Sequence, residues 1–322
     1  MFRIPVLYLQ HNLYTEKEHS ISDILIRADC FVAIILLGFF LRRSGFFGAD
    51  TFAVLSKIVM KITLPAALVA SSSGKYIDAS MLSISLLSFG SGVLYILLGL
   101  LLQHKSSRHQ KALYVLNLPG YNIDTFALPF TQSFLGPAGV LTTSLFDLGN
   151  VFICCGGSFS IARTLKDGSK ADFRKILKTP FTSIPFLTHC LMVFLNLTHL
   201  TLPRPIVSFA EILGGGNAFL AMLMIGVGLR SSVNFSQPRT IVKIIFIRFS
   251  TAAVLALVFY HLLPFDLEIR QALVILAFSP MTATIPVYAA ELKEDVSLSS
   301  AVNSLSIVIS ITIIVTLLIF ML

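Results

Sequence analysis

The stretch LNLPGYNIDTFALPF, residues 116–130, decides how this chain folds. It is apolar enough to lie in a membrane, yet Pro119 and Pro129 break any helix that runs through it. Between the prolines stand Asn122 and Asp124, and such polar side chains are costly at membrane depth unless they line a polar cavity. The stretch therefore predicts an interrupted membrane helix that lines a polar cavity, as in the binding sites of transporters.

The composition indicates a membrane protein. Hydrophobic residues make up 55% of the 322 residues and charged residues only 12%, whereas about a quarter of a soluble chain is charged. The apolar runs are long enough to cross a bilayer as helices, and they do not alternate in polarity as barrel strands would. Basic residues cluster in the short loops, which is typical of membrane topology signals. The net charge of +8 therefore does not indicate a nucleic acid partner.

We predict an all-α, polytopic membrane protein in a lipid bilayer, with ten transmembrane helices. The windows lie at 23–41, 51–72, 79–103, 110–134, 138–162, 176–198, 205–229, 239–262, 268–292 and 297–321. Residues 1–22 form a predicted N-terminal lead-in, and residues 164–175 form a predicted cytoplasmic linker between five-helix repeats at 23–163 and 176–322. The distribution of Lys and Arg places both termini outside an inner (cytoplasmic) cell membrane.

An odd number of spans in each repeat means that the second repeat lies inverted. Segment 270–290 is similar to segment 111–131, because each has a basic start, an Ala-Leu pair and two prolines. Each break alone is compatible with a proline kink repaired by Ser or Thr. Two breaks in corresponding places predict instead that they meet near the bilayer centre and bind substrate. The predicted contacts are Asn122, Thr125, Pro119, Pro129, Pro280, Thr282, Thr284 and Pro286.

Two acids within the apolar spans are candidate coupling residues. Asp124 is predicted to take up a proton that moves with or against the substrate; the alternative is a local hydrogen bond to the backbone. Asp147 lies about 15 Å into the membrane, counted from Pro137 at 1.5 Å per residue. With Asn150 it is predicted to form a coupling-ion site, or otherwise a packing hydrogen bond between helices. Arg248 is expected to neutralise one of these acids.

The sequence gives no indication of a metal centre, a cofactor or an enzyme. Its four cysteines form no CxxC pair and have no histidine at metal-ligand spacing, so we expect them to be packing residues. HExxH, GxSxG, a paired-Asp protease motif and a phosphate-binding loop are absent from the sequence. These absences favour a carrier that does not hydrolyse ATP itself.

Four stretches resemble the auxin efflux carrier family, which includes bacterial malonate/malate-type transporters. They are KIVMKITLPAALVASS (57–72), GYNIDTFALPFTQSFLGPAGVLTTSLFDLGN (120–150), KTPF (178–181) and FLAMLMIGVGL (219–229). The resemblance implies two inverted five-helix repeats with broken crossover helices in spans four and nine, as in bile acid/sodium symporter-like folds. It also implies an elevator-like motion, with Asn122 and Pro129 at the first crossing and Pro280 at the second. Asp124 stands where the family usually has Gly.

Residues and resemblance together favour a secondary-active transporter of small organic anions, either dicarboxylate or auxin-like. The candidate coupling ions are H⁺ and Na⁺, and a homodimer is a candidate assembly. The alternative is a cation/proton antiporter that uses Asp124 and Asp147 on a related inverted-repeat fold.

Overall fold

In a computed structural model, the residues described are 6–75, 78–168, 173–229 and 237–321. Within these ranges all regular structure is helical. The α-helices are α1 (Val6–Arg43), α2 (Thr51–Ile58), α3 (Leu64–Ser72), α4 (Ser83–Leu102), α5 (Arg108–Asn117), α6 (Leu128–Phe134), α7 (Gly136–Phe152), α8 (Ser158–Asp167), α9 (Phe173–Lys178), α10 (Ile184–Leu197), α11 (Arg204–Gly215), α12 (Asn217–Gly228), α13 (Pro238–His261), α14 (Leu267–Ala277), α15 (Ile285–Glu291) and α16 (Val296–Met321). Short π-helical turns lie at Val59–Thr63, Ile123–Ala127 and Ile153–Gly157, and 3₁₀ turns at Ala79–Leu82 and Thr179–Thr182.

Six helical stretches in the described part of the chain are long and apolar enough to cross a membrane. They are Thr51–Ser72, Ser80–Leu102, Gly136–Asp167, Arg204–Gly228, Pro238–His261 and Val296–Met321. The helices Ile176–Thr182 and Ile184–Leu197, bent by 87° at their junction, make a seventh candidate. These candidate spans are consistent with a polytopic membrane protein that is all-helical in its described residues, whereas ten spans and an inverted repeat stay predictions.

The helix that contains the first predicted span is longer than the apolar window 23–41. Helix α1 begins at Val6, so the predicted lead-in is continuous with the span from that residue onwards. Because the sequence has neither Pro nor Gly between residues 6 and 37, nothing in it ends the helix at the predicted boundary.

The two segments with paired prolines are both interrupted. Helices α5 and α14 are 10 and 11 residues long, so each extends about 15 Å, roughly half of the hydrocarbon thickness. Irregular chain follows each helix before α6 and α15 begin. Pro286 is the second residue of α15, where the backbone N–H has no intrahelical partner to lose. Pro129 is the second residue of α6 and directly follows the π-helical turn Ile123–Ala127.

The helices pack as two groups. The panel group consists of α1–α3 and α10–α12: α1 packs on α12, and α3 packs on α10 and α11. The crossover group consists of α4–α8 and α13–α16: α4 packs on α7, α5 on α8, and α13 on α14. Helix α7 also touches α3 and α10, so the groups share a direct seam. All four parts of the interrupted segments belong to the crossover group.

Within the panel group, α1 and α12 are in main-chain contact. A Cβ atom added at Gly226 would lie 2.0 Å from the carbonyl oxygen of Ile35, and one at Gly38 would lie 2.4 Å from that of Leu223. Glycines at these positions allow the two helices to approach this closely. The first span and the seventh predicted span are thereby held as one unit.

Candidate functional site

The two interruptions meet through the main chain. The N–H of Asn122 donates a hydrogen bond to the carbonyl oxygen of Pro280 at 2.9 Å. The Asn122 carbonyl in turn accepts from the N–H of Ala127 at 3.2 Å, at the end of the π-helical turn. Backbone groups freed by one break are therefore satisfied in part by the other break, as groups at membrane depth require.

A buried arginine on α13 joins the ends of α5 and α14. The Arg248 guanidinium donates to the carbonyl oxygens of Leu118 at 3.0 Å and Ser279 at 3.2 Å. Leu118 directly follows α5, and Ser279 lies just beyond the end of α14. It lies between the rings of Tyr95 and Tyr121, 4.3 and 4.2 Å from their centroids, and Arg248 is only 1% exposed. Because the C-terminal end of a helix carries partial negative charge, one guanidinium compensates two helix ends.

The two acids pair with a histidine, not with Arg248. His189 Nε2 lies 3.1 Å from Asp124 Oδ1 and 3.8 Å from Asp147 Oδ2. The imidazole belongs to α10 and is fully buried. The expectation that Arg248 neutralises one of these acids is wrong, because carbonyl groups occupy its guanidinium.

Asn150 links Asp147 to the first interruption. Its Nδ2 donates to Asp147 Oδ1 and to the Tyr121 carbonyl, each at 3.0 Å, while its Oδ1 accepts from the Tyr121 N–H at 3.0 Å. The Cys154 thiol also donates to Asn150 Oδ1 at 3.1 Å. One carboxylate oxygen of Asp147 is thus held by Asn150, and the other lies on the side of His189.

Two adjoining cavities lie at the crossing. The larger, of about 530 Å³, is lined by both groups of helices. The panel group contributes Arg42, Phe52 and Met224, and the crossover group contributes Ser300 and Asn303 among others. The smaller cavity, of about 200 Å³, is lined by Asp124, Asp147, Asn150, Thr282 and Thr284 among others. The two cavities share lining residues, among them Phe52, Asn122 and Thr125.

The predicted contact residues fall into three sets. Asn122 and Thr125 line both cavities, and the Thr125 hydroxyl donates to Asn122 Oδ1. Pro286 lines the larger cavity, and the hydrogen-bonded pair Thr282 and Thr284 lines the smaller one. The remaining three prolines line neither cavity. Among them, Pro280 accepts the hydrogen bond from the Asn122 N–H through its carbonyl oxygen.

Several lining residues escaped the sequence analysis. Ser300, Asn303 and Ser304 form one face of α16 at helical spacing, a pattern that could have indicated a polar face in an apolar helix. Arg42 belongs to the basic residues near the short loops, a pattern that by itself indicates only membrane topology. His189 is an isolated histidine in an apolar run, and only the fold brings it to Asp124, 65 residues away.

The three side chains Asp124, Asp147 and His189 are able to hold a cation. Their carboxylate and imidazole ligand atoms all lie within 4.8 Å of one another. The donor set of one nitrogen and two carboxylates differs from the cysteine patterns that the sequence analysis considered. The prediction that the chain has no metal site was based on the cysteines and stays a prediction.

Comparison with known proteins gives one family match. A family model described as "Membrane transport protein" matches residues 29–320, which include both interruptions and every residue named above as lining a cavity. No curated protein matches the chain.

Proposed function

The chain belongs to the membrane transport protein family, the auxin efflux carriers, and from this premise we propose that it is a secondary-active transporter of small organic anions. Membership and the apolar helices make it a multi-pass membrane transport protein. The proposal adds the substrate class, either a malonate/malate-type dicarboxylate or an auxin-like anion. The larger cavity carries the proposal, because it lies where two interrupted helices meet and both helix groups line it.

Anion contacts in this proposal come from one cation and several neutral donors. Arg42 is the only charged side chain among the described residues that line the larger cavity. Its guanidinium also donates to the carbonyls of Phe47 and Gly48, which orients it at the end of α1. Asn122 offers its amide Nδ2 to the cavity, and the Thr125 hydroxyl orients that amide by donating to Asn122 Oδ1. A charged donor together with neutral polar side chains in one cavity suits a small carboxylate.

The proposed motion is an elevator-like movement of the crossover group against the panel group. Asn122, Thr125, Asn303 and Pro286 all lie on the crossover group, so they would travel with the substrate. Close main-chain contact between α1 and α12 supports a panel that stays fixed. The larger cavity lies at the Arg42 end of α1, which is the predicted cytoplasmic end, so this form would be open inwards.

Ion coupling is proposed at the smaller cavity. Asp124, Asp147 and Asn150 line it together, and the carboxylates share His189. Intramembrane acids of this kind mark ion or proton pathways, with H⁺ and Na⁺ as the candidate ions. The same cluster is the observation that favours the alternative function, a cation/proton antiporter.

Uptake by the reconstituted protein distinguishes these functions. Proteoliposomes would be offered malonate, malate, indole-3-acetate and sodium, each at two pH values and with or without an ion gradient. We expect uptake of at least one anion, and we expect an imposed gradient to drive its accumulation. Sodium or proton exchange without anion uptake would establish the alternative instead, and movement of none of these solutes would count against both.

The variant Thr125→Val tests the cavity assignment. Loss of the hydroxyl leaves Asn122 Oδ1 without its donor, so the Asn122 amide is no longer held in place for the substrate. We expect anion uptake at low substrate concentration to fall about tenfold, as loss of one hydrogen bond of 1–2 kcal/mol gives. Thr312→Val is the matched control, because Thr312 is exposed on α16 and bonds only to its own helix. Equal uptake by the two variants would remove Thr125 from the site.

A further inference from the structure

The cluster of Asp124, Asp147 and His189 sets two acids against one imidazole, so at most one positive charge from the described residues faces two carboxylates. Apart from His189, no basic side chain among the described residues forms an ion pair with either acid. The side chains of Asp124 and Asp147 are only 14% and 8% exposed, and unpaired carboxylates are strongly disfavoured at membrane depth. A neutralising partner must therefore come from outside the chain or from bound protons.

A single proton on the His189 imidazole cannot form equal hydrogen bonds to both carboxylates. Both carboxylates approach the same imidazole nitrogen, Nε2, at 3.1 and 3.8 Å. A hydrogen on that nitrogen reaches Asp124, while the distance to Asp147 exceeds a hydrogen bond. An ion placed between the three atoms would contact all of them at once.

The spacing of these atoms fits a metal ion. Distances of about 2.0–2.2 Å from a metal to nitrogen and oxygen ligands place the ligand atoms of a tetrahedral site roughly 3.3–3.6 Å apart. The observed separations from Nε2 bracket this range, and all the ligand atoms lie within 4.8 Å of one another. Only small side-chain shifts are needed to close around an ion.

We propose that Asp124, Asp147 and His189 bind a divalent transition-metal ion such as Zn²⁺, Mn²⁺ or Co²⁺. An imidazole nitrogen favours such ions over Na⁺ or Mg²⁺, which prefer oxygen ligands. Asn150 orients the Asp147 carboxylate by donating a hydrogen bond to Oδ1, as residues around metal ligands commonly do. Asp124 and Asp147 also line the 200 Å³ cavity, from which an ion would reach the site. Binding itself is independent of the proposed transport, and only a role as coupling ion rests on the proposed function.

Metal binding to the purified full-length protein tests this site. The protein in detergent would be stripped with a chelator and titrated with Zn²⁺ by calorimetry, and with Co²⁺ by visible absorption. We expect saturable binding of one ion per chain. We expect His189→Gln and Asp147→Asn each to weaken it at least about tenfold, as loss of metal-site interactions does. His261→Gln and Asp266→Asn are matched controls, because both residues are exposed and lie outside the cluster.

Each outcome of the binding experiments either supports or overturns the proposed metal site. Absence of saturable binding to the wild-type protein, or unchanged affinity in His189→Gln, would overturn it. If the cluster variants fail to fold, X-ray absorption of the zinc-loaded wild-type protein replaces them, and a spectrum without imidazole scattering would also overturn it. Metal binding without anion uptake in proteoliposomes would contradict the proposed function alone, and anion uptake without metal binding would contradict this inference alone.

Discussion

At the scale of single residues, Arg248 explains how two helices can stop inside the membrane. Each break leaves carbonyl groups without an intrahelical donor, and water is absent from the hydrocarbon region. One planar guanidinium with several donors reaches Leu118 and Ser279 at the same time. The faces of the guanidinium are covered by Tyr95 and Tyr121, which stabilise a cation where water cannot.

Replacement of Arg248 by Met should lower the stability of the protein. Two buried carbonyls would lose their donors, at a cost of about 1–3 kcal/mol each. Arg248→Lys should recover only part of the loss, because an ammonium group cannot stack between the rings as a planar fork does. The measurement is the thermal unfolding midpoint in detergent. Arg239→Met on the same helix is the control, since Arg239 is exposed, and an Arg248→Met midpoint equal to that of the control would contradict this account.

Some residues of the site could be predicted from the sequence and others could not. Asn122, Asp124 and Thr125 stood out because polar side chains between two prolines conflict with an apolar span. His189 and the carbonyl contacts of Arg248 did not, since they depend on packing between segments 65 and 130 residues apart. A sequence shows which side chains are costly to bury, but it does not show which distant group compensates them.

At the scale of helices, the second proline of each interrupted segment lies where the α-helix begins again. Pro129 and Pro286 both occupy the first turn of a resumed helix, where the fixed φ of proline is compatible with helix. The sequence therefore predicted the interruptions well. It did not predict the start of α1 at Val6, because apolar windows report hydrophobic length and not helix length.

Gly226→Ala should disrupt the contact between α1 and α12. The added Cβ would lie 2.0 Å from the Ile35 carbonyl oxygen, so the helices would have to separate, at a cost of about 1–3 kcal/mol. Gly215→Ala is a matched control because no atom lies within 4 Å of its added Cβ. We expect a lower unfolding midpoint for the first variant only, and equal midpoints would show that the panel group is not held by this contact.

At the scale of the whole molecule, the seam between the panel and crossover groups locates the larger cavity. The cavity has walls from α1, α2 and α12 on one side and from α16 and the first interruption on the other. A relative movement of the groups would therefore change access to the cavity without unfolding either group. Ten spans, two inverted repeats, a homodimer and external termini stay predictions, because helix length and composition alone do not determine them.

Cysteine labelling tests the access that this arrangement implies. Ser304→Cys places a thiol on the cavity wall, and Thr312→Cys places one on the outer face of the same helix. In sealed vesicles of known orientation, we expect a membrane-impermeant maleimide to label Cys at 304 from the predicted cytoplasmic side, faster than Cys at 312 and more slowly when transported anion is present. The parent protein with its four cysteines gives the background. Labelling from the opposite side alone would contradict an inward-open form.

The bond between the Asn122 N–H and the Pro280 carbonyl has an evolutionary consequence. Since it joins main-chain atoms, exchange of the Asn122 side chain does not delete it. Neighbouring side chains can consequently be exchanged for others, as adaptation to a new solute would require, without deleting the main-chain bond between the two interruptions.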